Sequence, residues 1–362
     1  MSLSAKTEPF IAIPQLSASA NTDPLEATGR VLRWGVVATG RIAGAVTADI
    51  ARLADAELYA VSSRSPQRAS EFAAKYDFKK HYADDDGTRS GYEQLLADPE
   101  VDVVYVATPH GQHFEVASAA LKAGKHVLCE KSLTINAREA AELIELARAN
   151  GLFLMEAVWT RFLPSVQRAW DIVRSGELGR ITWVQADLGF PAPFDPEARI
   201  WALNDGGGAL LDLTVYPLTW ALGTLGRPDS CAATGSLNDH GVDQQNALQL
   251  GYASGAQAQL TSSLLASSPR TATICGTEGW LRTNEPLHNP TELTISTEAS
   301  GPRTERFEQT GNGYAYELRE VTRCIQDGAL ESPTMPWADS LETMRLFDSV
   351  REQLGVRYPN DA

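Results

Sequence analysis

No window of this sequence approaches the ~18 consecutive apolar residues that a membrane-spanning helix needs, so no membrane partner is expected. Positive charge is also short: 31 Lys and Arg face 46 Asp and Glu, a formal net charge of -15. That balance repels phosphate backbones, and no basic stripe interrupts it, which argues against nucleic acid as a partner. An anionic ligand must therefore be caught by local arginines rather than by the overall field. Cysteine is scarce too. Cys129, Cys231, Cys275 and Cys324 lie far apart and show no metal-ligand spacing. They read as buried free thiols in a reducing compartment, which points to the cytoplasm. No His/Asp/Glu cluster has metal spacing, and Asp84-Asp85-Asp86 reads as an exposed loop, so no metal is expected. Residues 1–29 are rich in Ala, Ser, Thr and Pro but lack a basic start and an apolar run. They read as a flexible leader rather than a secretory signal.

What is present is ample apolar material, 43% of 362 residues, enough for two domains. From residue 30 to 155, short apolar runs alternate with amphipathic stretches. Strands are expected at 31–38, 57–63, 80–82, 101–107, 126–129 and 152–155, and helices at 41–53, 66–76, 92–97, 112–123 and 137–150. Such alternation means a doubly wound parallel sheet with helices on both faces. From 156 to 362 the pattern changes to α+β. Helices are expected at 164–175, 206–225, 315–327 and 338–354, with strands at 181–189, 230–239, 243–253, 256–267 and 271–276. Alternation in Ala256-Gln257-Ala258-Gln259-Leu260 suggests antiparallel hairpins covered on one face. Trp201, Trp220 and Trp280 read as core or subunit-contact residues.

The first strand runs into Ala38-Thr39-Gly40-Arg41-Ile42-Ala43, placed as the G-x-G-x-x-G/A turn of a dinucleotide site. Gly40 admits a pyrophosphate and Ala43 permits close helix packing, but Ala38 replaces the first glycine, so the motif alone is weak. At the end of the second strand, NAD binders place a carboxylate. Here Ser62-Ser63-Arg64 stands instead, and hydroxyls with a guanidinium suit a 2′-phosphate. NADP is therefore expected over NAD, the alternative being that Arg64 is a solvated surface charge. Thr108, Pro109, His110 and His113 follow the fourth strand, and Glu130, Lys131 and Ser132 the fifth, where open α/β sheets bind ligands. Gly206-Gly207-Gly208 introduces Asp212 and Tyr216, four apart and so on one helix face. A tyrosine serves as acid/base if a nearby cation lowers its reference pKa of ~10, and Lys131 is that cation here.

In this order these residues, with Trp34-Gly35, Ala107, the run 155–162 and Glu331 to Pro336, resemble the glucose–fructose oxidoreductase/inositol dehydrogenase/rhizopine-catabolism family. Within it they resemble the dihydrodiol dehydrogenase branch, which includes NADP-dependent xylose dehydrogenases. The resemblance implies a Rossmann domain followed by a domain with a large open, mostly antiparallel sheet, whose open face forms a homodimer or dimer of dimers. It implies hydride transfer at a sugar or trans-dihydrodiol carbinol, with Lys131 polarising the reacting oxygen and Tyr216 as acid/base. Asp212 would orient substrate hydroxyls, Trp159 and Phe190 would wall the pocket, and Arg161 would line it. Thr39, Gly40, Arg41, Ile42, Ser62, Ser63, Arg64, Thr108, Pro109, His110, His113, Glu130 and Lys131 would hold the cofactor, His113 near the nicotinamide. Two departures stand out. Ser132 replaces the family proline, the residue that ordinarily permits a cis bond. Thr214 replaces a glycine and is expected to tighten the helix face toward substrate. A dinucleotide-binding regulator or scaffold without turnover is the alternative function, and retention of both Lys131 and Tyr216 speaks against it.

Overall fold

The computed structural model describes residues 23–85 and 87–361. Strands β1 (Leu32–Val37), β2 (Ala56–Ser63), β3 (Lys80–Ala83), β4 (Val103–Val106), β5 (His126–Glu130) and β6 (Leu154–Ala157) form a parallel sheet of order β3-β2-β1-β4-β5-β6. β4 and β5 are buried almost end to end, as a sheet covered on both faces requires. Helices α1 (Arg41–Ile50), α2 (Pro66–Tyr76), α3 (Gly91–Leu96), α4 (His110–Lys122) and α5 (Ala137–Asn150) connect the strands. The order reverses between β1 and β4, so the loops after these strands open a crevice.

The second sheet has eight strands: β7 (Ile181–Gly189), β8 (Ser230–Leu237), β9 (Asp243–Gly251), β10 (Gln257–Ser263), β11 (Ala272–Gly276), β12 (Gly279–Thr283), β13 (Glu292–Thr297) and β14 (Gly301–Arg306). The hairpins are antiparallel, but β7 and β10 pair in parallel, so the sheet is mixed at its centre. One face packs on α7 (Val215–Leu225), and the other is open, with Trp183 and Trp280 each 38% exposed. Trp201 and Trp220 are buried. α6 (Pro164–Ser175), α8 (Ala315–Gln326) and α9 (Trp337–Leu354) complete the domain.

Four sequence expectations are corrected. The helix expected over 206–225 is interrupted: residues 210–214 form a π turn before α7 begins. Gly208, at φ +122, approaches Asp243 so closely that a Cβ would collide with its carboxylate, whose Oδ2 accepts the Leu210 N–H at 2.8 Å. The strands β12 to β14 lie outside the sequence expectations: β14 (GPRTER) is a polar edge strand without apolar alternation, whereas β12 (GWLRT) and β13 (ELTIST) do alternate but are short. Residues 1–22 of the leader lie outside the described residues, whereas residues 23–29 are docked rather than free. Arg319 Nε donates to Pro24 O at 2.9 Å, and Asp55 Oδ2 accepts from Thr28 N at 2.8 Å. Of the cysteines, Cys129 and Cys324 are buried, but Cys231 and Cys275 are only half-buried. Among the described residues, no helix is long and apolar enough to cross a membrane.

Candidate active site

A cleft of about 870 Å³ runs from the crevice between β1 and β4 to the edge of the second sheet. At its first-domain end, the residue in the first glycine's place, Ala38, takes φ +90. The left-handed geometry of the turn is thus kept by an alanine at some cost in strain. Gly40 has open space where a Cβ would stand, and α1 begins there with no side-chain cap. α4 also begins uncapped, after Pro109. Two helix N-termini with free N–H groups and positive dipole ends therefore face one cleft. Two buried hydroxyls that line it, Ser62 Oγ and Thr108 Oγ1, have no hydrogen-bond partner. Such orphaned groups fit a ligand that supplies their partners.

Thr39, Arg41, Ile42, Ser63, Arg64, Pro109, His110, His113, Glu130 and Lys131 all line this same cleft. Arg64 and Arg68 stand exposed about the start of α2, where Ser65 caps the Arg68 N–H. The nearby carboxylate, Asp84, has its Oδ1 committed to the Gly91 N–H at 2.8 Å. Asp85 organises its own loop by accepting from Thr88 and Arg89, and Asp86 lies outside the described residues.

The far end holds the chemistry. Lys131 Nζ donates to Asp212 O at 2.7 Å and to Asp212 Oδ1 at 3.0 Å, which leaves one of its three N–H groups uncommitted. Arg199 reaches both oxygens of Asp212 at 3.3 Å. Despite its burial, the two cations hold the Asp212 carboxyl well below its ordinary range. Tyr216 stands across from them, its ring centroid 5.1 Å from Lys131 Nζ. Trp159 Nε1 donates to Tyr216 Oη at 3.3 Å, and the Trp159 ring lies 4.4 Å from that of Tyr314. His288 packs on Tyr216 with centroids 4.9 Å apart, and Phe190 lies 39% exposed on the lining.

Beneath Lys131, the backbone is pinned from α4. His110 stands between Gly206 O (2.9 Å) and Lys131 O (3.0 Å), and His113 between Ser132 O (2.8 Å) and Thr108 O (2.9 Å). Burial pushes their pKa values down to about 3 and about 4, so both rings are neutral and each donates to one of its two carbonyls. The Lys131–Ser132 peptide bond is cis although Ser132 is not proline.

Three expected roles are not matched by position. Arg161 is 2% exposed, and its Nη1 donates to Thr334 O at 2.9 Å and Asp339 Oδ2 at 2.6 Å. It braces the domain interior instead of lining the cleft, because its turn of 3-10 helix points it inward. Thr214 faces Asn246, 3.0 Å away, rather than the substrate side. The Tyr216 phenol is shifted up, not down: burial comes first, the Glu130 carboxylate adds to it, and Lys131 is engaged by Asp212. Conversely, Arg199, Arg270, His288 and Tyr314 line the cleft without having been singled out. They come from loops whose sequence carries no periodicity. Only the Gly311-Asn312-Gly313 turn before Tyr314 offered a signal.

A Rossmann sheet whose crevice joins a cationic and aromatic chamber on a second domain defines a nicotinamide-dependent oxidoreductase. Residues 32–158 match the oxidoreductase family described as having an NAD-binding Rossmann fold, and residues 166–282 match the GFO/IDH/MocA C-terminal domain. The chain belongs to this GFO/IDH/MocA family. It is 36% identical over 340 residues to trans-1,2-dihydrobenzene-1,2-diol dehydrogenase of Bos taurus, covering 91% of this chain and 99% of that protein. Among solved structures it is similar to a 3-ketoreductase from Actinomadura kijaniata in complex with NADP and TDP-benzene. The TM-score is 0.78 at 27% identity, over 90% of this chain and 98% of that one. An aldose-aldose oxidoreductase from Caulobacter crescentus gives 0.79 at 26% identity, over 90% and 97%.

Proposed function

We propose that this enzyme is an NADP-preferring dehydrogenase of a sugar or diol carbinol, with Lys131 and Tyr216 as its proton-handling pair. The observation that carries the reading is the convergence of Lys131, Asp212 and Tyr216 at one end of a cleft whose other end offers two uncapped helix N-termini. The named activities of the bovine and Actinomadura relatives support the same substrate and cofactor classes. The two helix N-termini would hold the phosphates of a nicotinamide dinucleotide, which when bound would supply hydride exchange with a carbinol or carbonyl carbon. Lys131 keeps one N–H for the reacting oxygen, and its charge stabilises negative charge that develops there. Asp212 holds that ammonium by side chain and backbone together. Tyr216, neutral in the resting site, gives its proton to the oxygen in reduction and is left as a phenolate beside the Lys131 charge. In oxidation the phenol first releases its proton to solvent, and the phenolate then takes the proton of the carbinol. Trp159, Tyr314 and Phe190 supply apolar walls for a ring.

The 2′-phosphate reading rests on Ser62, Ser63, Arg64 and Arg68 around the end of β2. The test follows the absorbance of reduced nicotinamide while the protein meets NADP or NAD and a panel of sugars and trans-diols. Turnover is expected, with NADP favoured about ten- to a hundredfold as a charged pair allows, and Arg64→Ala is expected to erase most of that preference. Equal use of the two cofactors would refute the NADP assignment, and binding without turnover would refute the dehydrogenase.

A further inference from the structure

The substrate end of the cleft reverses the charge of the molecule that carries it. On a chain of net charge -15, three cations, Lys131, Arg199 and Arg270, line the chamber against two carboxyl groups, Asp212 and Glu130. Glu130 lies deeper, where burial raises its carboxyl and the Tyr105 hydroxyl donates to it. Arg199 and Arg270 both belong to the second domain, whereas Arg41, Arg64 and Arg68 surround the start of α1 and α2 in the first. Of the second-domain pair, Arg270 is the more unusual. It follows β10 with φ +56, a left-handed backbone that arginine rarely adopts. Two contacts enforce that conformation: its N–H donates to Asp187 Oδ2 at 2.8 Å, and its carbonyl accepts from Leu287 N at 2.7 Å. The guanidinium so placed is paired to Glu285 at 2.7 Å, but the two side chains are 39% and 60% exposed. An exposed pair of this kind contributes little and is exchanged at small cost. Arg199 is likewise 44% exposed, and at 3.3 Å it shares Asp212 with the closer Lys131. The field of these cations also reaches the buried imidazole beside them. His288 is pushed down to about 4, by burial first and then by Lys131 and Arg270.

We propose that the substrate carries an anionic group, a carboxylate or a phosphate, beside the polyol carbon that is oxidised, and that Arg270, with Arg199, receives it. The proposal rests on the dehydrogenase reading above and narrows its substrate class. A guanidinium fork matches the planar oxygens of a carboxylate or the face of a phosphate, and two guanidinium groups can engage one anion together. Neutral sugars would leave that charge without a partner from the ligand.

The test compares kcat/KM, at saturating NADP, across matched compounds: D-glucose, D-glucuronate and a hexose phosphate, and a neutral trans-diol with its ring-carboxylated counterpart. In parallel, the NADP complex is titrated calorimetrically with D-glucuronate and with its methyl ester. The anionic member of a pair is expected to be favoured by about ten- to a hundredfold, the preference shrinking as salt rises. Which anion leads tells carboxylate from phosphate. Arg270→Met is expected to lower the preference at least about tenfold through KM, while Arg270→Lys retains part of it. Neutral compounds used as well as, or better than, their anionic partners would overturn the inference and leave the dehydrogenase reading standing. So would an Arg270→Met variant that loses NADP affinity instead. If nothing is turned over, the titration decides: acid bound better than ester, with the difference lost in Arg270→Met, keeps the anion site while the dehydrogenase reading fails. Equal binding of acid and ester overturns it.

Discussion

Among the described residues, the hydroxyl of Tyr216 has a single partner in hydrogen-bond reach, Trp159 Nε1 at 3.3 Å, so deleting it removes little that holds the fold. A neutral bond of that length contributes no more than about 1 kcal/mol. Tyr216→Phe is therefore expected to melt within a few degrees of the parent and to bind cofactor as tightly. Turnover should fall about 10²–10⁴-fold in both directions, as loss of a general acid/base does. Because burial and Glu130 raise the phenol, a spectrophotometric titration of the ligand-free protein should show no ionisation of Tyr216 below the ordinary tyrosine range. A Phe variant with normal activity per folded molecule would move proton transfer to Lys131. At this scale, sequence reading reached Lys131, Asp212 and Tyr216, because each sits beside a strand end or a glycine run whose chemistry is local. It did not reach Arg199, Arg270, His288 or Tyr314, whose loops meet the cleft only through the tertiary fold. It misplaced Arg161, because a residue's neighbours within a motif do not say which way a short helical turn faces.

Elements carry a second connection to the site. Helix α1, whose first turn faces the cofactor end, ends near Asp49, which is 1% exposed. Its carboxylate accepts the backbone N–H of Asn312 at 3.0 Å and of Tyr314 at 2.9 Å. The turn bends around it through Gly311 at φ +61 and Gly313 at φ +97, and a Cβ on Gly311 would strike the carboxylate. Tyr314, thus held, packs against Trp159 with ring centroids 4.4 Å apart. Asp49→Ala should cost about 1–3 kcal/mol for the orphaned donors. It should also raise KM more than it lowers kcat, because the substrate wall loosens while Lys131 and Tyr216 stay in place. Asp49→Asn, which keeps an acceptor oxygen, should recover part of both. A variant that loses stability with KM unchanged would make Asp49 a purely structural cap. The alternation of the first domain made α1 and its strands legible from residue periodicity alone. The parallel β7–β10 pair and the turn on Asp49 were not, since both join segments far apart in the chain.

At the scale of the whole molecule, the seam between the domains holds, besides Lys131 with Asp212, a fully buried ion pair. Arg319 on α8 donates from Nη1 to Asp55 Oδ2 at 2.9 Å and from Nη2 to Asp55 Oδ1 at 2.7 Å, with both side chains 1% exposed. Asp55 precedes β2, so the pair ties the Rossmann sheet to the last third of the chain, 264 residues away in sequence. Thr28 and Gln326 complete the cage, the latter donating to Asp55 Oδ2 at 3.0 Å. No sequence pattern announces such a contact, because its two halves become neighbours only when both domains are built. A bidentate pair in the interior repays its desolvation only while it is complete. Arg319→Met should thus cost about 3–5 kcal/mol at neutral pH, much of it the penalty of an unpaired buried carboxylate. The pH dependence fixes the sign. The pair holds the Asp55 carboxyl well below its ordinary range, so the folded state stays ionised where the unfolded chain begins to take up a proton. Its contribution is complete above the ordinary carboxylate pKa of ~3.9 and is lost as pH falls below it. In Arg319→Met the carboxyl takes up its proton without losing a partner. The gap between parent and variant should be widest at neutral pH and narrow as the solution is acidified through the carboxylate range. Denaturant melts of both proteins across that range check the argument, and a gap that stays constant would mean that Arg319 acts by packing alone.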